Sequence, residues 1–379
     1  MMTRLLRLIP RRTGADVGNG VGVRQDDERP PARAEDPMKI DAFNHLFPKA
    51  YFDRMLALGA DWKDMARRVR VIPCIVDLDA RFRIMDEFGP DYRQIVSLPA
   101  PPVEDFGRDA TDMARLANDA FAELCARHPD RFFGFVAALP MNDPDAMLRE
   151  AERAVFRLGA CGVQVYTNVR GKPLTAPETL PLFDLMAKLD MPIWMHPTRG
   201  ADFPDYASET KSEWEIWWTF GWPYETSVAM SRMVFAGLFD KHPQLKVITH
   251  HLGGMVPYFE GRVGPGWDQI GKRTSGDDLR AKLAWMKKRP IDYFRHFYAD
   301  TAVFGSVPAT ECGLAFFGAD NVVFASDSPF DPEQGSAYIR WTIKIVDELK
   351  VSAADRQKIY EGNIRRVCRR ETTPAARAA

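Results

Sequence analysis

The chain has few of the residues and runs that would mark it for a membrane, for nucleic acid or for an oxidising compartment. Its 379 residues include only five cysteines, Cys74, Cys125, Cys161, Cys312 and Cys368, with no CxxC pair. An odd, scattered set argues against a disulfide framework or a zinc ribbon and fits a reducing cytoplasm. No apolar run approaches the roughly 18 to 20 residues needed to span a bilayer, so no membrane partner is expected. The basic N-terminal MMTRLLRLIPRR is broken by Arg7 and closed by Pro10, too short for a secretory core. Net charge is only -1 with acids and bases interspersed, so nothing calls for a nucleic-acid partner, and a small neutral or anionic ligand is the expected one. Neither GxGxxG nor GxxxxGK is present, which removes the phosphate loop that a doubly wound open sheet would need.

What remains is an ordinary globular composition, 46 % apolar and 27 % charged, from which one segment departs. Thr13 to Pro37 is rich in Gly, Pro, Arg and Asp and nearly devoid of large apolar residues, so residues 1–37 read as a disordered extension. Met38 opens the first strand-like run and is a candidate natural start. From there short β-type runs alternate with helical patterns: MKIDAF, QIVSL, FFGFVAAL, GVQVYT, PIWMH, LKVITH, FYADT and VVFAS. One helix is well punctuated, with Asp143 as cap, Pro144 in its first turn, Met147, Ala151 and Val155 at i, i+4, and Gly159 to close it. Eight such strands predict an α/β fold, a single-domain (β/α)8 TIM barrel over residues 38–370, enlarged by loop insertions, with a flexible tail over 371–379. The insertions lie between His45 and Gln94 and between Arg199 and Trp222.

Active sites of such barrels form where the strands end. His45 closes the first strand, His196 the fifth, His250 and His251 the sixth, and Asp327 the eighth, so four of the chain's seven histidines occupy such ends. His45, His196 and Asp327 would meet at the barrel mouth, as divalent-metal ligands must. Each also has an ordinary reading: a strand-end histidine can be structural, and Asp327 before Ser328 and Pro329 can shape a turn. Between the paired histidines, alternation along a strand assigns His250 to packing and leaves His251, ahead of Gly253 and Gly254, free to move protons. Phe43, two residues before His45, shares its face and would wall the site. Arg199, just past His196, could pair with a substrate carboxylate, although a surface arginine is commoner. Trp214, Trp217 and Trp218 recur at helical spacing, as core or oligomer contact or as a lid over an aromatic ligand, with Trp218 the candidate substrate contact.

The motifs IDAFNHLFP, GACGVQVYTNVRGKPL, MPIWMHP, the long run from FGWPYETSVAM to ITHHLGGMVPY, VVFASDSPF and IYEGNIRRV resemble the amidohydrolase superfamily. The resemblance is to its amidohydrolase-2 branch, which includes aminocarboxymuconate-semialdehyde decarboxylase and hydroxybenzoate-type decarboxylases. It implies a (β/α)8 barrel that holds one divalent metal, zinc or manganese, on positions matching His45, His196 and Asp327, and a proton-transfer histidine matching His251. Family members are often dimers, so a homodimer is expected. The fourth strand lacks the lysine of binuclear members, offering Gln164, Thr167 and Asn168, so at most one metal is implied. Phe43 stands where the family usually has a ligand, which would weaken the site.

Three functions follow in order of preference. The first is metal-dependent, non-oxidative decarboxylation of a small aromatic or unsaturated carboxylic acid, with His251 or Asp327 handling the proton. The second is hydrolysis of a lactone or amide, with or without metal. The third is a degenerate barrel that binds without turnover, which retention of the other site positions argues against.

Overall fold

A computed structural model describes residues 37–59 and 64–369. The segment expected to be disordered, residues 1–36 of it, and the expected tail over 371–379 lie outside the described residues. Eight parallel strands form one sheet in chain order: β1 Lys39–His45, β2 Tyr92–Ser97, β3 Phe132–Ala137, β4 Gly162–Tyr166, β5 Ile193–His196, β6 Val247–Thr249, β7 Tyr298–Asp300 and β8 Val322–Val323. The last strand returns to the first: Ala42 N donates to Phe324 O at 2.8 Å, Asp327 N to Phe43 O at 3.1 Å and His45 N to Ser328 O at 2.8 Å. These bonds close the (β/α)8 barrel that the eight runs predict.

The interior of the barrel is filled by Ile40, Ala42 and Phe43 of β1, Ile95, Val136, Trp194, Ile248 and Val323, and Ile364 and Val367 of the helix Asn363–Val367 join the same cluster. Trp194 Nε1 donates to Ala42 O at 2.9 Å, so even this bulky core residue has its polar atom satisfied. A larger shell of apolar residues lies between strands and helices. The helix Pro144–Phe156 shows why it forms there. Asp143 accepts from Ala146 N at 2.9 Å, Pro144 occupies the first turn, and Met147, Ala151 and Ala154 face the core. Val155, expected on that face, is only half-buried, because the buried stripe follows i, i+3, i+4 and takes in Ala154 instead.

Both insertions carry structure. The first contains the helices Lys49–Ala57, Asp64–Val69 and Leu78–Asp86, the last capped by Asp77, which accepts from Asp79 N and Ala80 N at 2.9 and 3.1 Å. The second leads through the short helix Ile216–Thr219 into Gly221–Phe235. Among the described residues no helix is long and apolar enough to cross a membrane.

Candidate metal centre and active site

The polar residues gather at the C-terminal ends of the strands. Ligand atoms of His45, His196, His250 and Asp327 all lie within 4.8 Å of one another, and all four residues are buried. Asp327 is the hub: Oδ1 is 3.1 Å from His45 Nε2 and 3.2 Å from His250 Nε2, and Oδ2 is 3.4 Å from His251 Nε2. Its backbone is left-handed at φ 62, as is that of His251 at φ 53, a conformation that persists in non-glycine residues only where the surroundings enforce it. At Asp327 the bond from its own N–H to Phe43 O supplies part of that enforcement.

Three imidazoles have Nδ1 engaged away from this hub. His196 Nδ1 donates to Pro197 O at 2.6 Å, and His250 Nδ1 donates to the buried carboxylate of Asp300. Ser97 Oγ donates to Asn44 O at 3.0 Å and so receives the Nδ1 proton of His45 at 3.1 Å. A neutral ring protonated at Nδ1 carries its lone pair at Nε2. His45 Nε2, His250 Nε2 and Asp327 Oδ1 are buried without a hydrogen-bond partner, their short mutual distances lacking the alignment a hydrogen bond needs. Leaving such an atom unsatisfied costs on the order of 1–3 kcal/mol. A divalent cation would satisfy all three at once, and a donor set of imidazoles with one carboxylate suits zinc or manganese.

The charges agree with that reading. Burial opposes ionisation of Asp327, yet the charge of His250 and the close approach of His251 and His45 hold its carboxyl well below the usual range. Burial likewise opposes the charged form of His250, but Asp300 and Asp327 outweigh it and push the ring up to about 10. His196 is held well below the ordinary histidine value by burial, then by His250 and His45. His251 is lowered by burial and by His250, against the pull of Asp327. The buried carboxylates thus draw positive charge to this cluster, which is the charge a bound cation would supply.

A cavity of about 970 Å³ opens over the cluster, lined by His196, His251 and Asp327 and walled by Trp214, Trp217, Trp218, Trp222, Phe304 and Phe330. Trp222 packs against His196 and His251, with ring centroids 5.5 and 6.5 Å away. Gly254 also faces the cavity, at φ 62, and a Cβ there would fall 2.5 Å from Pro223 O, so this position needs glycine to let the helix Gly221–Phe235 approach.

The structure thus brings His45, His196, His251 and Asp327 together as the strand ends indicate, and sets Trp218 and its neighbours around the cavity. Two expectations change. Phe43 is fully buried with its ring 5.4, 5.8 and 4.2 Å from those of His45, His196 and His250, so it is a floor beneath the imidazoles and not a wall of the cavity. Arg199 does not line the cavity: Nη1 pairs with Glu225 Oε1 at 3.1 Å and the guanidinium lies 3.8 Å over the Phe203 ring. Two residues escaped the sequence reading. His250 joins the cluster because β6 stops at Thr249 and the chain turns at His251 and Leu252, both at φ 53, so alternation no longer separates the pair. Asp300 had a visible signal, a carboxylate closing the seventh strand in FYADT.

Known proteins share this architecture. The chain is 32 % identical over 321 residues to a gamma-resorcylate decarboxylase of Rhizobium radiobacter, covering 82 % of this chain and 90 % of that one. It is 29 % identical over 313 residues to a 2-amino-3-carboxymuconate-6-semialdehyde decarboxylase of Dictyostelium discoideum, covering 77 % and 82 %. The crystal structure of a dihydroxybenzoic acid decarboxylase from Polaromonas, with bound manganese and the inhibitor 2-nitroresorcinol, superposes with a TM-score of 0.69 at 29 % identity, covering 88 % and 97 %. The amidohydrolase family model matches residues 40–370, which takes in every barrel strand from its first core residue and every member of the polar cluster. The chain belongs to the amidohydrolase family, in its amidohydrolase-2 branch.

Proposed function

We propose that the chain is a metal-dependent, non-oxidative decarboxylase of a small aromatic carboxylic acid, a hydroxybenzoate of the gamma-resorcylate type being the first to test. The observation that carries this reading is the position of His251: it touches Asp327 and opens onto an aromatic-walled cavity directly beside three buried, unpartnered ligand atoms. His45, His196 and Asp327, with His250 as a fourth donor, would hold one divalent ion, manganese or zinc. Bound there, the ion supplies the positive charge that anchors the acid or its neighbouring hydroxyl and steadies negative charge as it develops.

The protein's own groups do the rest. Decarboxylation breaks one C–C bond, leaves the electron pair on the ring carbon and replaces carbon dioxide with a proton. His251 is the titratable group that faces both the cavity and Asp327, and its lowered basicity makes its proton easy to give up once acquired. Asp327 keeps the ring oriented through Oδ2. The tryptophans supply apolar faces on which a benzoate ring can stack and from which water is displaced. Phe43 supplies no ligand, so the ion is held less tightly than by a site with a donor at that position. The stripe Phe220, Tyr224 and Val228, exposed at 65 %, 52 % and 37 %, offers an apolar face that a second copy would cover in the homodimer we also propose.

The test is carbon dioxide release from 2,6-dihydroxybenzoate by chelator-treated protein and by the same protein after reconstitution with manganese or zinc. Release restored by metal is the expected result. Turnover indifferent to metal removal, or lactone opening without carbon dioxide, would replace this reading with the hydrolytic one.

A further inference from the structure

Beneath the cluster lies a buried cation that neither metal binding nor proton transfer uses. Arg81, on the helix Leu78–Asp86, is 2 % exposed and has no ion-pair partner among the described residues. Burying an unpaired charge is costly, and packing alone would be served by an apolar side chain of the same size. Instead the guanidinium is spent on the end of β1. Nη1 donates to the carbonyl of His45 at 2.8 Å and to that of Cys74 at 3.3 Å, Nη2 to Asn44 Oδ1 at 2.6 Å, and Nε to Gln94 Oε1 at 2.8 Å.

The bonds continue without a break to Ser326, the neighbour of Asp327 in the segment that follows β8. Gln94 Nε2 donates to Tyr92 Oη at 3.0 Å, and Tyr92 Oη donates to Asp41 Oδ2 at 2.6 Å. Asp41 in turn accepts from Ser326 Oγ at 2.5 Å and, through Oδ1, from Ser326 N at 3.0 Å. Ser326 immediately precedes Asp327, and its Oγ also accepts from Ser328 N at 3.1 Å, while Ser328 O accepts from His45 N. Every side chain in this chain of bonds is buried. We propose that Arg81 is a positioning residue which, acting through Gln94, Tyr92 and Asp41, fixes the ends of β1 and β8 so that His45 and Asp327 hold the divalent ion; the inference rests on the metal site proposed above.

The arrangement answers a need that Phe43 creates. A site short of one strand ligand cannot rely on ligand number, so the remaining ligands must be held in place before the ion arrives. Arg81 grips the carbonyl of a ligand residue directly, and the planar fork of guanidinium reaches Gln94, Asn44 and His45 at once, which a lysine ammonium cannot do.

The test is manganese affinity of the full-length protein, read by electron paramagnetic resonance titration of free Mn²⁺, so that no turnover is involved. Wild type is expected to bind one ion. Arg81→Met and Arg81→Lys are expected to bind about 10-fold more weakly or worse, the range typical for groups that orient metal ligands. Tyr92→Phe, which removes the hydroxyl linking Gln94 to Asp41, is expected to weaken binding less. Met147→Ala, in the helix Pro144–Phe156 and outside this network, serves as a control that loses thermal stability and keeps its affinity. Wild-type affinity in folded Arg81→Met, or in Tyr92→Phe and Arg81→Lys should Arg81→Met fail to fold, overturns the positioning role alone. A wild-type protein that binds no manganese or zinc overturns the metal site itself.

Discussion

The rings of His250 and His251 lie with centroids 3.9 Å apart, tilted by 32°, and divide one carboxylate between them, His250 Nε2 facing Oδ1 of Asp327 and His251 Nε2 facing Oδ2. They differ in what lies on the other side. Nδ1 of His250 is held by Asp300, whereas His251 opens onto the cavity and its Nδ1 has no partner. The two therefore separate on substitution. His251→Asn is expected to cut turnover about 10²-fold or more while leaving manganese affinity within a few-fold of wild type. His250→Asn is expected to lower manganese affinity first. Steady-state kinetics paired with a metal titration of each variant checks this, and equal effects of the two substitutions on both quantities would end the division of roles.

Asp327 meets three histidines, so its substitution is expected to be the most damaging in the site. Asp327→Asn keeps the shape and removes a charge that, after that of Asp300, raises the basicity of His250 and that would balance a bound cation. Manganese affinity is expected to fall 10²-fold or more, about 2.7 kcal/mol, and carbon dioxide release to fall with it. A variant with full metal occupancy and only lost turnover would make Asp327 a proton carrier and not a ligand.

How much of this was legible beforehand follows from what each signal depends on. The barrel could be read because the eight strands are short apolar runs bounded by helical patterns, and hydrophobic burial alone fixes such elements. His45, His196 and Asp327 could be read because the end of a strand is where a barrel exposes side chains. Arg81 and Asp41 could not be singled out, because a charged residue on a helix or within a strand gives no sign in the sequence that it is buried. Their significance comes from partners distant in the chain, such as Ser326 for Asp41 and His45 for Arg81. His250 was misassigned by a rule that holds inside strands and lapses one residue past their end. The tryptophan spacing allowed core, contact or lid, and only the folded loop decides for the cavity wall.

Phe43 supports a gain-of-ligand test. Its ring centroid lies 4.2 Å from that of His250 and 5.4 Å from that of His45, so a side chain at this position is already against the cluster. Phe43→His would bury an imidazole whose nitrogens lack partners without metal, costing on the order of 1–3 kcal/mol. With manganese present, binding would return that stability and more. The expected pattern is a lower melting temperature than wild type in chelator, a larger upward shift on adding manganese, and affinity raised about tenfold. Unchanged affinity would show that the ion sits out of reach of position 43.

Glu104 carries a pH prediction independent of the metal. Its side chain is buried, Oε1 has no hydrogen-bond partner, and Tyr51 Oη, Tyr166 Oη and Gln164 Oε1 are buried without one as well. Burial, with a smaller contribution from Asp105, pushes the Glu104 carboxyl from 4.5 up to about 8. Between those values the folded protein holds a proton that the unfolded chain has released, so stability is fully present below about 4.5 and is lost as pH rises through about 8. The slope for one such group is about 1.4 kcal/mol per pH unit within that window. Glu104→Gln keeps the neutral shape and removes the titration. Its melting temperature is expected to match wild type near pH 4.5, to exceed it increasingly up to about pH 8 and to stay above it by a constant margin beyond, any pH dependence of the histidine cluster being common to both. Parallel curves for the two proteins would show that Glu104 ionises at an ordinary pH and that solvent reaches its carboxylate.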